Sequence, residues 1–179
     1  GARGARCRQR PSALAPRRGD AVTLVVRTAR VGPTRYADEL NVTRATGEGD
    51  GLAFAPSWAI LGPALRARRE AAEIAAAFAR NGGGSRSGCA DAERIEGEAW
   101  GAYVPAYLAE MRRSYRERRR AWVALLARES VTLLCFCVDP ERCHRTLLAR
   151  EILPKLGAVY AGERTAAAAE ALALPGVSR

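Results

Sequence analysis

The sequence predicts an α/β fold with a mainly parallel sheet flanked by helices. Residues 131–138, "VTLLCFCV", are apolar or β-branched almost throughout, which makes them the clearest strand in the sequence. Asp139-Pro140 ends this strand, and residues 143–153 follow as a helix that Pro154 stops. Because strands and helices alternate along the rest of the chain as well, the order favours parallel strands joined by helical crossovers.

The first half of the chain contributes one strand and one helix to this prediction. Residues Ala21–Ala29 form the strand, and the Gly-, Pro- and Asp-rich residues 30–51 form a long loop. The helix runs from Pro63 to Ala79, with Ser57 as the N-cap of a less regular first turn. Residues 81–98 are expected to be a flexible connection, in which Cys89 has no special role.

A second long helix is predicted from an apolar stripe that starts at Trp100, with Pro105 in its first turn. Steps of three and four residues place the members of the stripe on one face. They are Trp100, Val104, Tyr107, Leu108, Met111, Tyr115, Trp122, Leu125 and Leu126. The opposite face carries five arginines: Arg112, Arg113, Arg116, Arg119 and Arg120. This basic face is either a solvated surface or a surface that lies along phosphates.

The net charge of +10 is concentrated at the N-terminus. Residues 1–30 carry eight arginines and one acid, whereas the remaining residues carry twenty arginines, one lysine and eighteen acids. Residues 1–20 have almost no large apolar side chains and no initiator Met, so we interpret them as a disordered basic arm or as residues before the true start. The folded domain is expected over residues 21–165, with a short strand at Ala158–Tyr160, and a C-terminal helix and tail over residues 166–179.

The composition excludes several protein classes. No apolar run is long enough to cross a membrane. The N-terminal residues lack the apolar stretch and cleavage signal of a secretory peptide. Five cysteines, clustered mainly around one strand, do not form the even pattern of a disulfide framework. A cytoplasmic protein is therefore expected, and the pattern leaves its oligomeric state open.

Three cysteines and the sole histidine lie between Cys135 and His144, with the spacing C-x-C-x₅-C-H. Cys135 and Cys137 point to the same side of a strand, as two metal ligands would. Cys143 and His144 are neighbours that would point in different directions at a helix start, and the paired spacings of structural zinc sites are missing. The spacing therefore predicts that the chain holds no stoichiometric zinc, and no other cofactor is indicated.

The same segment meets the requirements of a thiol-bearing turn that binds anions. Parallel sheets bind ligands beyond the carboxyl ends of their strands, where helix N-termini present unpaired amides. Cys143 lies in the first turn of such a helix, between Arg142 and Arg145. These charges would lower the pKa of its thiol and make it more reactive than Cys137, which is expected to be buried. His144 would act as a general acid or base. The alternative is a packed cysteine and a structural histidine.

The segment "LLCFCVDPERCHRTLLA" resembles the signature of the domain of unknown function 488 family, in which a leucine-rich strand ends in Cys and Cys-His-Arg opens a helix. Three further segments are similar to one branch of that family: "LNVTRATGEGDGLAFAPSWAIL", "EMRRSYRERRRAWVALLARESVTLLC" and "ILPKLGAVYAGER". Together the segments cover about Arg27 to Arg164. The resemblance implies a Rossmann-like α/β domain, and it implies no particular activity.

The resemblance also implies candidate site residues. The matching positions are Cys135, Cys143, His144 and Arg145, together with Arg44, Gly47 and residues 54–58. The family often has an acid two residues after the strand cysteine, where this chain has Cys137, so no catalytic carboxylate is expected there. The long loop is expected to fold over the strand ends, and Trp58 is expected to pack in the core.

Two functions follow from these patterns. The first is an enzyme that acts on an anionic substrate, such as a nucleotide or a nucleic acid, at the Cys-His-Arg junction. Its catalytic candidates are Cys135, Cys143 and His144, and its substrate-binding candidates are Arg44, Arg142 and Arg145. The second is a non-catalytic module that uses the same basic residues to bind nucleic acid or a partner protein. The clustering of Cys, His and Arg favours the enzyme, whereas the absence of a firmly placed acid favours the binding module.

Overall fold

The computed structural model describes residues 23–80 and 86–164 of the chain. The predicted basic arm and the predicted C-terminal helix lie outside these residues. Within the described part, no helix combines the length and the apolar character that crossing a membrane requires.

Four parallel strands form a single sheet, which confirms the predicted α/β fold class. The strands are β1 (Val25–Arg30), β2 (Glu39–Asn41), β3 (Ser130–Cys135) and β4 (Val159–Arg164), in the spatial order β2-β3-β1-β4. The central strands β1 and β3 are the apolar runs that the sequence indicated. Their pairing brings Arg30 opposite Cys135, so the carboxyl ends of the two central strands meet at one edge of the sheet.

Within residues 23–80 and 86–164, four α-helices pack around this sheet. They are α1 (Trp58–Arg80), α2 (Arg86–Glu117), α3 (Arg119–Leu126) and α4 (His144–Leu147). The backbone continues beyond α4 as a π-helical turn, Leu148–Ile152, and a 3₁₀ turn, Leu153–Leu156. The predicted helix over residues 143–153 is therefore present, with Cys143 as its N-cap.

The predicted long loop and the predicted flexible connection both contain regular structure. Strand β2 lies within the predicted loop and, among the described strands, pairs with β3 alone. It has only three residues, and loop-forming residues flank it, so the sequence shows no strand pattern there. Helix α2 begins at residue 86 rather than at Trp100. Its first turns have few apolar residues, and ion pairs from Arg94 to Asp91 and Glu98 stabilise them instead.

The predicted apolar stripe forms one side of the core, although its helix breaks at Arg118 into α2 and α3. Tyr107, Met111 and Trp122 of this stripe are buried against the sheet and the turns that follow α4. The prediction that Trp58 packs in the core is wrong, because Trp58 begins α1 and 57% of its surface is exposed.

Candidate functional site

The carboxyl end of β3 and the beginning of α4 hold most of the predicted site residues. Cys135 is the last residue of β3 and its side chain is buried. Cys143 has an extended backbone as the N-cap of α4, with φ −136° and ψ 139°, and only 1% of its surface is exposed. Because β3 lies in the middle of the sheet, this junction is at the edge where parallel sheets bind ligands.

Three free thiols meet at the junction. The Sγ atoms of Cys135, Cys137 and Cys143 all lie within 4.8 Å of one another, and those of Cys135 and Cys137 are 3.7 Å apart. We call these three side chains the thiol cluster. Cys137 follows the strand and is half-buried, so the prediction that it is buried within the strand is wrong. The argument that neighbouring Cys143 and His144 point apart also fails, because both side chains approach Cys135.

His144 is a buried, neutral ring held by the loop after β2. Its Nε2 lies 2.9 Å from the carbonyl oxygen of Val42, which accepts the Nε2 proton. Its Nδ1 is therefore the unprotonated nitrogen, and it lies 3.8 Å from Cys135 Sγ. Burial lowers the pKa of His144, so the ring does not form an ion pair with a thiolate.

Arg145 crosses the floor of the site. Its guanidinium is fully buried and forms an ion pair with Glu163 at 2.8 Å. The same group donates to the carbonyl oxygen of Cys137 at 2.9 Å and contacts Cys143 Sγ at 3.4 Å. Arg145 thus links β4, the segment after β3 and the thiol cluster, and it places a positive charge beside the sulfurs.

A second guanidinium, that of Arg68 in α1, was not among the predicted site residues. Its Nη1 lies 3.5 Å from Cys137 Sγ, and its Nη2 donates to the carbonyl oxygen of Arg142. No sequence pattern distinguishes this position, because α1 and α2 carry many arginines at similar spacings. Only the packing of α1 over the strand end distinguishes Arg68 from them.

A narrow cleft between α1 and α2 opens onto Cys137 and His144, with a volume of about 30 Å³. Arg68, Arg142 and Glu96 also line it, and the Arg142 guanidinium lies 2.7 Å from the Glu96 carboxylate. Glu96 was missed because residues 81–98 were predicted to be a connection rather than a helix. A carboxylate therefore does stand in this cleft, although it comes from α2 and not from the strand segment.

Arg44 has a different environment from the other predicted arginines. Its guanidinium donates to the carbonyl oxygens of Pro56 and Ala55 at 2.6 and 2.8 Å. It lines a second cavity, together with Ser57 and Trp58, and not the cleft at Cys137. The contacts of Arg44 hold the loop after β2 against the start of α1.

The thiols do not ionise independently. Hydrogen bonds from the thiols of Cys137 and Cys143, together with the Arg145 guanidinium, lower the pKa of Cys135 to about 3. Burial, followed by the neighbouring thiols, raises the pKa of Cys143 far above its ordinary value. The prediction that Cys143 has a lowered pKa is therefore wrong. A negative charge on Cys135 therefore opposes the ionisation of Cys143.

Comparison with protein families agrees with these features. Residues 89–157 match the profile DUF488-N3a, which is described as the active DUF488-N3 subclade. The matched segment belongs to the DUF488 family. It includes Glu96, the thiol cluster, His144 and Arg145, which confirms the resemblance seen in the strand–helix segment. No curated protein and no solved structure matches the chain.

Proposed function

We propose that this protein is an enzyme that uses a thiolate of the thiol cluster as its nucleophile and acts on a substrate with an anionic group. The observation that supports this proposal is the convergence of three thiols beside two guanidinium groups at the end of a cleft. A thiolate is the nucleophilic form of cysteine, and adjacent positive charges maintain it at neutral pH. The profile that matches residues 89–157 is described as active, which agrees with catalysis.

Cys137 is the thiol that a substrate reaches in this proposal, because it lines the cleft. Its Sγ lies 3.7 Å from Cys135 Sγ and 3.5 Å from Arg68 Nη1, whose positive charge offsets the negative charge of a Cys137 thiolate as it attacks. Cys143 stabilises a negative charge on Cys135 by hydrogen bonding and stays buried. Of the predicted catalytic cysteines, Cys135 and Cys143 thus become supporting groups, and the attacking atom is their neighbour.

The remaining roles follow from the contacts around the cleft. Arg68 and Arg142 are the groups placed to hold the anionic part of the substrate, and Glu96 is the group placed to move a proton. Arg145 is buried and bonded to Glu163 and does not line the cleft, so it positions the cysteines. His144 lines the cleft beside Cys137, and its bond to the Val42 carbonyl fixes its ring. Arg44 is excluded from the anion site because its guanidinium is occupied by two carbonyl groups of the loop.

The size of the cleft restricts what enters it. The cleft is narrow, and its volume of about 30 Å³ has room for only a few atoms of a substrate. Only the reacting end of a substrate fits between α1 and α2, and the rest of a nucleotide or nucleic acid would stay outside or would require the helices to separate.

The proposal is tested by mapping alkylation of a variant in which Cys7 and Cys89, the two cysteines outside the cluster, are replaced by serine. With a chelator present, Cys137 is expected to react first with iodoacetamide, and Cys135 and Cys143 are expected to react only after unfolding, since they are buried. The rate of Cys137 alkylation by the anionic reagent iodoacetate, divided by the rate with iodoacetamide, should be higher in the folded protein than in the unfolded chain. Mass spectrometry of peptides gives each rate.

Matched variants separate a reactive site from an accessible cysteine. Arg68→Gln and Arg142→Gln should each reduce the preference for iodoacetate, whereas Arg94→Gln, which removes an exposed arginine of α2, should leave it unchanged. Labelling of Cys137 at the rate of the unfolded chain, with no preference for the anionic reagent, would contradict the proposal.

The basic face of α2 and α3 supports a second candidate function, namely binding of nucleic acid. Its arginines, Arg112, Arg113, Arg116, Arg119 and Arg120, are all exposed. Arg113 lies 3.6 Å from Glu110, and Arg119 lies over the ring of Tyr115, so these two are partly engaged. The other three lie on the exposed surface, as phosphate contacts would.

Replacing Arg112, Arg116 and Arg120 with glutamine is expected to weaken binding to duplex DNA at low salt, if this face makes the contact. The slope of log affinity against log salt concentration should fall by up to about 3, since each lost phosphate contact removes about one unit. Fluorescence anisotropy over a series of salt concentrations measures both quantities. A triple replacement of Arg66, Arg69 and Arg80 in α1 is the matched control. Equal loss in the two triple variants would show that only overall charge matters.

A further inference from the structure

The geometry of the thiol cluster points to a metal site. We propose that Cys135, Cys137 and Cys143 bind one thiophilic divalent ion, zinc, through their three thiolates. In a tetrahedral zinc site the Zn–S distance is about 2.3 Å, which places neighbouring sulfurs roughly 3.8 Å apart. The Sγ atoms of Cys135 and Cys137 are 3.7 Å apart, and all three sulfurs lie within 4.8 Å of one another. The cluster therefore needs only a small contraction to surround the ion.

The backbone holds the three sulfurs without help from a metal. Cys135 is fixed by the ladder of β3, where it lies opposite Arg30 of β1. Cys143 is fixed as the N-cap of α4. The segment between them returns Cys137 to the other two sulfurs, and Arg145 bonds the Cys137 carbonyl at 2.9 Å. The sequence-based argument against zinc considered only the spacing of the cysteines along the chain. In the folded protein the turn after β3 brings the three cysteines together despite that unusual spacing.

The charges around the cluster fit three thiolates on a divalent ion. Such a complex carries one negative charge, and burial of an unbalanced charge is unfavourable. Arg145 Nη1 lies 3.4 Å from Cys143 Sγ, and Arg68 Nη1 lies 3.5 Å from Cys137 Sγ. These guanidinium groups offset the charge and orient the sulfurs, as outer groups around metal ligands do. Because cysteine binds zinc as the thiolate, zinc binding would release protons.

The fourth position of the ion faces the cleft. Cys137 lines that cleft, and so does His144, whose Nδ1 lies 3.8 Å from Cys135 Sγ. Zinc sites that keep an open position bind water or a substrate there. The proposal goes beyond the proposed function, because zinc binding is expected whether or not Cys137 acts as a nucleophile. Where Cys137 is the nucleophile, bound zinc occupies its lone pair and slows its alkylation.

Zinc binding is measured on the full chain after the metal is removed under reducing conditions, by competition with a chromophoric chelator and by elemental analysis. One zinc ion per chain is expected. Cys135→Ser, Cys137→Ser and Cys143→Ser should each weaken binding far more than Arg68→Gln, for which a loss of about 10–100-fold is expected. The Cys7→Ser/Cys89→Ser variant is the matched control and should bind as the wild type does.

A spectroscopic measurement keeps the test valid if a serine variant does not fold. Cadmium bound to the wild-type chain should give a sulfur-to-metal charge-transfer band with the intensity of three thiolates, unchanged in the Cys7→Ser/Cys89→Ser variant. A charge-transfer band with the intensity of fewer than three thiolates, or binding of less than one zinc ion per chain, would overturn the proposed metal site. If the alkylation test in chelator fails but the chain still binds one zinc ion, the proposed catalysis is contradicted and the proposed metal site is not.

Discussion

Replacing Arg145 with methionine is expected to lower the free energy of unfolding by about 3–5 kcal/mol. The Arg145 side chain is 0% exposed and its partner Glu163 is largely buried, with 2.8 Å between the charged atoms. The change leaves the Glu163 carboxylate without its partner, and it removes the donor to the Cys137 carbonyl oxygen. Unfolding in urea, followed by circular dichroism, gives the free energy.

The exposed ion pair between Arg35 and Glu39 provides the matched control for this prediction. Its charged atoms are 3.3 Å apart, but the Arg35 side chain is 79% exposed. Arg35→Met should therefore cost no more than about 1 kcal/mol. Similar losses in the two methionine variants would show that the Arg145 pair contributes no more than a surface contact.

A double-mutant cycle separates the lost pair from the unpaired carboxylate. Arg145→Met combined with Glu163→Gln should recover part of the stability lost in Arg145→Met alone, because no buried charge then lacks a partner. Alkylation of Cys137 supplies a second measurement on the same variants. It should be slower in both Arg145 variants than in the wild type, because the guanidinium charge beside the sulfurs is absent from both.

Much of the fold could be predicted because it depends on local patterns. Strands β1 and β3 are central in the sheet, and apolar or β-branched residues fill the start of β1 and most of β3, so both strands were visible in the sequence. The apolar stripe that includes Tyr107 and Trp122 follows the helical period. Edge strand β2 has one neighbour and the first turns of α2 are stabilised by charged pairs, so neither produces an apolar pattern.

The location of the candidate site could also be predicted, but its chemistry could not. Cys135, Cys143, His144 and Arg145 lie within one strand–helix junction, and that junction is visible in the sequence. The distribution of charge depends on residues far away along the chain. Arg68 comes from α1 and Glu96 from α2, and the Val42 carbonyl determines which nitrogen of His144 is protonated. Burial of Cys143, which reverses the expected direction of its pKa, likewise depends on tertiary packing.

Replacing Trp122 with alanine is expected to lower the free energy of unfolding by about 3–5 kcal/mol, as for other buried tryptophans. The ring is 1% exposed and packs edge-on against Phe54 and Tyr115, with ring centroids 4.9 and 5.3 Å away. Its Nε1 also donates to Ser114 Oγ at 3.1 Å, and Ser114 in turn donates to the Ala53 carbonyl. Alanine therefore leaves a cavity and removes a donor from a buried hydroxyl.

Trp58→Ala is the matched control for this last prediction, because it deletes the same side chain from an exposed position. It should change the free energy of unfolding by no more than about 0.5 kcal/mol. For a chain of this length, the Trp122 variant should unfold roughly 6–20 °C below the wild type, since 1 kcal/mol corresponds to about 2–4 °C. Thermal unfolding followed by circular dichroism measures both variants, and a comparable fall for Trp58→Ala would contradict the placement of these two rings.

The Trp122 variant should also disturb the candidate site, through a chain of contacts. Trp122 packs against Phe54, whose carbonyl accepts the Tyr107 hydroxyl proton at 2.9 Å. The Tyr107 ring lies 5.7 Å from that of His144, which the Val42 carbonyl holds beside Cys135. Alkylation of Cys135, expected only after unfolding in the parent chain, should therefore become measurable under native conditions in Trp122→Ala. If the variant is destabilised but Cys135 stays protected, the core supports the fold without positioning the thiols.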